Sequence, residues 1–279
     1  MNKFSSFLVV ALLTFFSVSA QSVSIMTYNI RLDVASDGEN AWPLRKDFLV
    51  DQIKFYSPDV FGIQEGTPDQ TKYLNEHLTN YKYIGVGRDG NNKGEYSAIF
   101  YNAKKFNVEH VETFWLSSTP DKVSMGWDAA CNRVCTYGLF TNIETKEKIW
   151  VFNTHLDHVG VEARTKGVDL IVKKIAEVNT KNYPVVLTGD FNLEPDTTVI
   201  HNVKNYLNDT KEVAKNVVFG PSGTFNAFDF FTPVTKRIDY IFVSKNNISV
   251  SKYAVLSDSK DLKYPSDHLP VYVEMEFNK

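Results

Sequence analysis

At 279 residues, with 43% hydrophobic and 14% aromatic side chains, the chain can bury a full core without a partner, so one large domain and a monomer are expected. The 33 acidic residues outnumber the 30 basic ones, the reverse of what a processive DNA-gripping enzyme needs, although a local cationic cleft can coexist with an acidic whole.

The first stretch, MNKFSSFLVVALLTFFSVSA, carries one early cation at Lys3, an apolar run, and Val18-Ser19-Ala20 before Gln21. This is the layout of a cleavable secretory signal, which predicts a mature chain of 21–279 that is secreted or periplasmic. Loss of Lys3 with the signal makes the remainder more acidic still. No later segment approaches the roughly 20 apolar residues that a membrane span requires, so stable insertion is not expected.

Along the rest of the chain, short strands rich in β-branched and aromatic residues alternate with helical stretches. The first strand, VSIMTYNI, ends at Asn29 and Ile30, with Arg31 just beyond. Leu49, Ile53 and Tyr56 then recur at the period of a half-buried helix. DVFGIQE is an apolar strand closed by Glu65, and Thr67-Pro68-Asp69 reads as a helix start with an N-cap followed by proline. Strands follow in YKYIGVG, YSAIFYN, VEHVETFWL, RVCTYGLFTNI and KIWVFNTHL. A further helix is marked by Ile171, Ile175 and Val178, ahead of strands in PVVLTGDFN, RIDYIFVS and PVYVEMEF. Two similar halves of strands and helices fit two stacked sheets.

The only cysteines are Cys131 and Cys135 in CNRVC. If that segment is extended, four steps of about 3.3 Å separate the two Cα atoms by roughly 13 Å, beyond disulfide reach, so both thiols are expected free unless the chain turns. A CxxxC metal site has little support, with no further Cys or His close by in sequence.

Polar residues gather where strands end, the position at which a rigid scaffold exposes reactive groups. Glu65 is placed to be an oxygen ligand, or a helix-start carboxylate ahead of Thr67. In GDFN, Asp190 and Asn192 flank Phe191; alternation puts both polar groups on one side, unless the segment is simply an Asx-rich turn. NTHLDH supplies His155, Asp157 and His158, and an imidazole there can protonate a leaving oxygen or serve only structure. Ser266-Asp267-His268 adds a carboxylate beside an imidazole, or a polar turn before the last strand. Together these groups offer what a metal-assisted phosphoester hydrolase needs: hard oxygen ligands, a base for water, cover for phosphoryl oxygens and a proton donor.

The stretches MTYNIR, DVFGIQE, GEYSAIFYN, NTHLDH, LTGDFN, RIDYIF and SDHLPV resemble the endonuclease/exonuclease/phosphatase family, with a deoxyribonuclease I-like fold, from about residue 24 to the C-terminus. The segments FWLSSTPDK and GWDAACNRVCTYGLF are most similar to a secreted bacterial branch of unassigned substrate. The resemblance implies an α/β, four-layered sandwich of two mainly antiparallel sheets flanked by helices. It implies Mg2+, with Mn2+ or Ca2+ as substitutes, held by Asn29, Glu65 and Asp267. It also implies that Asp190 orients or deprotonates water, Asn192 holds the phosphoryl group, and His155 acts as acid or phosphate ligand. By the same resemblance His268 completes the acid/base machinery with Asp239 behind it, and Glu95 backs His155. Asp239 lies in the apolar strand RIDYIFVS, where a charge needs a partner; Arg237 or Lys236 are alternatives to His268. Asp157 and His158 match a variant of bacterial members and carry no assigned role.

Arg31 stands where apurinic endonucleases place an acid, which weakens the case for a second metal and sets a cation near the phosphate. Arg133 either reaches a substrate phosphate or lies on a solvated strand face. Phe114, Trp115 and Trp127 read as core rather than as a binding platform. The expected activity is hydrolysis of a phosphomonoester or phosphodiester by in-line attack of water, with nucleic acid as one candidate substrate. A catalytically silent binding module remains the reading from another class, and it requires the site residues to diverge.

Overall fold

The computed structural model describes residues 22–278; the expected secretory signal lies outside them. In chain order the elements are β1 (Val23–Asn29), α1 (Trp42–Tyr56), β2 (Val60–Gln64), α2 (Pro68–His77), β3 (Tyr81–Ile84), β4 (Ile99–Asn102) and β5 (Phe106–Trp115). They continue with β6 (Val134–Asn142), β7 (Lys148–His155), α3 (Val161–Val178), β8 (Val185–Asp190), α4 (Thr198–Tyr206), β9 (Leu207–Asp209) and α5 (Thr210–Val213). The last four are β10 (Val217–Phe219), β11 (Asp239–Ser244), β12 (Ile248–Val255) and β13 (Val271–Phe277).

The strands form a seven-stranded sheet, β10-β12-β13-β1-β2-β4-β3, and a six-stranded sheet, β5-β6-β7-β8-β11-β9. Their pairings are mainly antiparallel, with β1–β2, β7–β8 and β10–β12 parallel. Alternation along each strand builds the layers. Ile25 of β1 faces a core shared between the sheets, with Val60, Val151, Val186 and Ile241. Met26 and Tyr28 face the opposite way, toward Leu49 and Ile53 of α1 and Leu74 of α2. On the second sheet Val185 and Leu187 pack against Val168 and Ile171 of α3 and Ile200 of α4. Helix, sheet, sheet, helix is thus the four-layered sandwich expected, with strands buried on both faces. The predicted start of α2 is present in full: Thr67 and Gln70 form a capping box, with proline in the first turn.

One polar network crosses the inter-sheet core. Asn153 of β7 donates to Ile63 O (2.8 Å) and Ala98 O (3.0 Å), and its Oδ1 accepts from Gln64 Nε2 (2.7 Å) and Thr188 Oγ1 (3.0 Å). Gly62 makes room for it, because a Cβ there would lie 2.3 Å from Asn153 Oδ1. These bonds join β2 to β7 and β8, and so set how far each strand end projects on the side where Gln64 and Asp190 lie.

Candidate active site

The two central parallel pairs explain why the site forms. In register, Asn29 lies opposite Gln64 at the C-terminal ends of β1 and β2, and His155 opposite Asp190 at the C-terminal ends of β7 and β8. The antiparallel neighbour β11 starts at this same edge, with Asp239 opposite Asp190. The loop before β13 delivers Asp267 and His268 there too, and Ser266 Oγ anchors it to Asn29 O at 2.7 Å. Arg31, Glu65 and Asn192, each one or two residues past a strand end, have positive φ of 55°, 63° and 51°. For non-glycine residues this left-handed backbone is disfavoured, and it turns the chain sharply where functional side chains must be aimed.

A cavity of about 410 Å3 gathers Arg31, Glu65, Glu95, Arg133, His155, Asp190, Asn192, Asp267 and His268. Asn29 bridges the two sheets beneath it: Nδ2 donates to Glu65 Oε1 and to Asp190 Oδ2, both at 3.0 Å, while Oδ1 accepts from the Arg31 N–H at 3.0 Å. Glu65 Oε2 accepts from the Leu32 N–H at 3.0 Å. His268 Nδ1 lies 2.9 Å from Asp239 Oδ2, and its Nε2 lies 3.8 Å from Asp190 Oδ2. Asn192 Nδ2 reaches Leu156 O (3.0 Å) and His155 Nε2 (3.1 Å), and its N–H reaches Asp190 Oδ1 (2.8 Å). Phe191 faces the other way, onto Tyr240 and Phe242, as the GDFN pattern predicts.

Burial shapes the charges. It pushes the Asp190 carboxyl up, the Asp239 carboxylate pushes it further, and His268 with the Asn192 N–H and the Asn29 amide only partly offset this. Asp267 is raised by burial and by Glu65. Burial opposes charge on His268, but Asp239, Asp190 and Asp267 outweigh it and hold the imidazole protonated well above its usual range. His155 goes the other way: burial, then Arg133, His268 and Arg88, keep it neutral. The same kind of side chain thus takes two charge states within one cavity.

The donors around Asn29 are hard oxygens: Asp190 at the end of β8 and Glu65 and Asp267 in loops present carboxylates, and Asn29 presents an amide oxygen. Burial disfavours ionisation of Asp190 and Asp267, and a hard divalent cation is the group whose charge would offset it, so these residues fit such a cation. Glu65, His155 and Asp190 also have ligand atoms within 4.8 Å of one another.

Several expectations change. Glu95 does not back His155; it is held in a two-pronged pair by Arg88, at 2.7 Å for both contacts, because the hairpin loop before β4 folds its own arginine onto it. Asp239 is the first residue of β11 rather than internal to it, and it partners His268, while Arg237 turns to Asp209 at 2.5 Å. Arg133 is buried, not on a solvated face, with Nε 3.3 Å from Asp157 Oδ2 and Nη2 3.0 Å from His158 Nδ1. Asp157 is a structural clamp, accepting from the N–H groups of Ala130, Val159 and Gly160. Both cysteines are free; Cys135 is buried in β6, while Cys131 lies beside Asp157 and His158, neighbours that linear spacing did not suggest. Phe114 and Trp115 are core, as expected.

Three contributors escape a reading of the sequence. Arg88 looks like a turn cation in GRDGNNKG, and Lys236, stacked over Phe225 at 5.1 Å, like a surface one; both line the cavity. Arg45 looks like the solvated face of α1, yet it is buried and donates to Asn40 O, Ile30 O, Arg31 O and Pro265 O at 2.6–3.1 Å, tying the Arg31 and Asp267 loops together. Its only signal was the position one helical turn before the buried Leu49.

The model of the Endonuclease/Exonuclease/phosphatase family matches residues 26–268. The chain therefore belongs to that family, and its site is that of a phosphoric ester hydrolase. A solved Bacteroides thetaiotaomicron protein described as an endonuclease/exonuclease/phosphatase family protein is 37% identical, with 94% of this chain and 100% of that one covered and a TM-score of 0.89. The mannosyl-6-phosphatase of Bacteroides thetaiotaomicron VPI-5482 is 38% identical, with 91% and 100% covered and a TM-score of 0.87. The CCR4-Not complex 3'-5'-exoribonuclease subunit Ccr4 of Mycosarcoma maydis is 23% identical; the match takes in 92% of this chain but only 50% of that protein. Among the described residues, no helix is long and apolar enough to cross a membrane.

Proposed function

We propose that the chain is an exported, divalent-metal-dependent phosphomonoesterase acting on the phosphate ester of a small polyhydroxylated alcohol, a sugar phosphate. The observation that carries the reading is the convergence of Glu65, Asp190, His155, Asn192, Asp267 and His268 on one bounded cavity, which a silent binding module has no reason to keep. The acidic balance of the chain favours a small ligand over a tracked polymer, and a cavity of about 410 Å3 has room for one. The likeness to a mannosyl-6-phosphatase points to the same class.

In this reading Asn29, Glu65 and Asp267 hold Mg2+, which when bound polarises a phosphoryl oxygen. Asp190, with its raised proton affinity, takes the proton of the attacking water, and as the P–O bond to the alcohol breaks the departing oxygen takes a proton from solvent. His268, kept cationic by Asp239, faces the charge that accumulates on phosphorus-bound oxygens. His155 stays neutral, and its Nε2 accepts from Asn192 Nδ2, which fixes the ring beside the phosphoryl site. Arg31, oriented by Asp37 at 2.7 Å, adds a guanidinium beside Asp267.

The test is phosphate release from hexose 6-phosphates, glycerol phosphate, bis(p-nitrophenyl) phosphate, RNA and plasmid DNA. Monoester hydrolysis that is abolished by EDTA and restored by Mg2+ is expected; cleavage of RNA or DNA without monoester hydrolysis overturns the reading in favour of a nuclease. Export is tested separately by N-terminal sequencing of protein from the extracytoplasmic fraction, which should begin near Gln21.

A further inference from the structure

The cavity has a second wall that offers no group to the metal or to the attacking water in that reading, made by Arg88 and Glu95 on one hairpin loop and by Arg133 and His158 next to it. The Arg88 side chain is 19% exposed and that of Glu95 14%. Their loop is held from several sides. Arg88 N–H donates to Glu95 O at 2.9 Å, and Trp115 Nε1 donates to Arg88 O at 2.7 Å. At Gly87 any Cβ would lie 2.1 Å from Lys93 O, so the turn admits no side chain there. The pair is therefore presented in one geometry before any ligand arrives.

Its charge state decides what it can recognise. The guanidinium meets both oxygens of Glu95 at 2.7 Å, so the pair is neutral as a unit. Arg133 is held less closely, by one contact of its Nε to Asp157 Oδ2 at 3.3 Å. A second phosphate or a carboxylate arriving at Arg88 would meet a guanidinium already paired with both oxygens of Glu95 and would face that carboxylate. A hydroxyl group, which both donates and accepts, fits: it can give its hydrogen to a Glu95 lone pair and take one from a guanidinium N–H that the pair leaves unused.

We infer that Arg88 and Glu95 are the specificity-determining pair of this site, reading vicinal hydroxyls on the alcohol half of the substrate while the carboxylate end holds the phosphoryl group. The inference rests on the phosphomonoesterase reading and adds to it the residues that select a sugar over a plain alcohol. It also excludes substrates with a second anionic group at this position.

The experiment compares kcat/KM for a hexose 6-phosphate with that for ethyl phosphate, which has a primary alkyl leaving group and no hydroxyls, using Mg2+-loaded enzyme. The wild type should favour the hexose ester, and Arg88→Met should reduce that ratio at least about tenfold, mostly through KM. Arg88→Lys, which keeps the charge and most of the stem, should recover only part of the ratio, because an ammonium lacks the planar fork that meets both oxygens of Glu95 while aiming a further N–H at the ligand. A ratio within about twofold of wild type in either variant overturns the inference, as does a wild type that hydrolyses both esters equally. If Arg88→Met does not fold, Arg88→Lys decides alone. A wild type that hydrolyses diesters and neither monoester fails at the earlier step and removes the functional reading itself.

Discussion

Asp239 and His268, 29 residues apart in sequence, meet at 2.9 Å between Oδ2 and Nδ1, with both side chains almost fully buried. The contact exists because β11 begins where β8 ends, so its first residue faces Asp190, and because the loop before β13 enters the same edge. His268 thereby stands between two carboxylates. Removing either member of the pair strands the other in a buried setting.

From this coupling we expect Asp239→Asn and His268→Ala each to lower kcat by about 10²–10⁴-fold. The double mutant should be little worse than the more damaging single one, since groups acting as a unit are non-additive. Steady-state kinetics on the three variants checks this. Losses that simply multiply would separate the two residues and leave Asp239 a structural role.

Glu65→Gln should act through the metal. The amide keeps its shape and can still accept from the Leu32 N–H, but it loses the charge that holds a hard cation. The Mg2+ concentration for half-maximal rate should rise by at least about tenfold, with part of the rate recovered at saturating Mg2+. Unchanged Mg2+ binding by calorimetry, with a rate that no amount of metal restores, would remove Glu65 from the ligand set.

Asp157 supplies a pH prediction with a definite sign. Burial would raise its carboxyl, but N–H groups of Gly160, Val159 and Ala130 and the Arg133 guanidinium hold it at about 2, below the ordinary 3.8. A depressed carboxyl stabilises the fold fully above its unfolded pKa and loses that contribution as pH falls through the folded value. Asp157→Asn should therefore lower Tm at neutral pH, and the gap to wild type should close between about pH 4 and pH 2. A gap that stays constant over that range would contradict the assignment.

Asn153 should be worth more to stability than its place in a mid-strand run of apolar residues suggests. Asn153→Ala removes two donors from the carbonyls of Ile63 and Ala98 and an acceptor from Gln64 and Thr188, all buried. A loss of about 2–4 kcal/mol in urea unfolding is expected, with the m-value unchanged. A loss below about 1 kcal/mol would mean that the sheets keep their alignment without this network.

The sequence by itself determined most of the strands, though not the three-residue β9 and β10, because their apolar and β-branched character persists wherever the partner lies, and it placed Asn29, Glu65, His155, Asp190 and Asp267 at or beside strand ends. It failed on β12, where the buried residues Ile248 and Val250 are followed by Tyr253 and Val255; a bulge between Val250 and Lys252 breaks the period of two that marks a strand. It also passed over α4, in which only Ile200 and Val203 are buried. Tertiary structure alone decided which strands are neighbours, and with that the partners of every buried charge: Asn29 with Asp190 across two sheets, Arg237 with Asp209, Glu95 with Arg88. The physical reason is range. Backbone preference and side-chain alternation act over a few residues and are written locally, whereas a buried charge is satisfied by whichever group the packing of distant segments brings within about 3 Å.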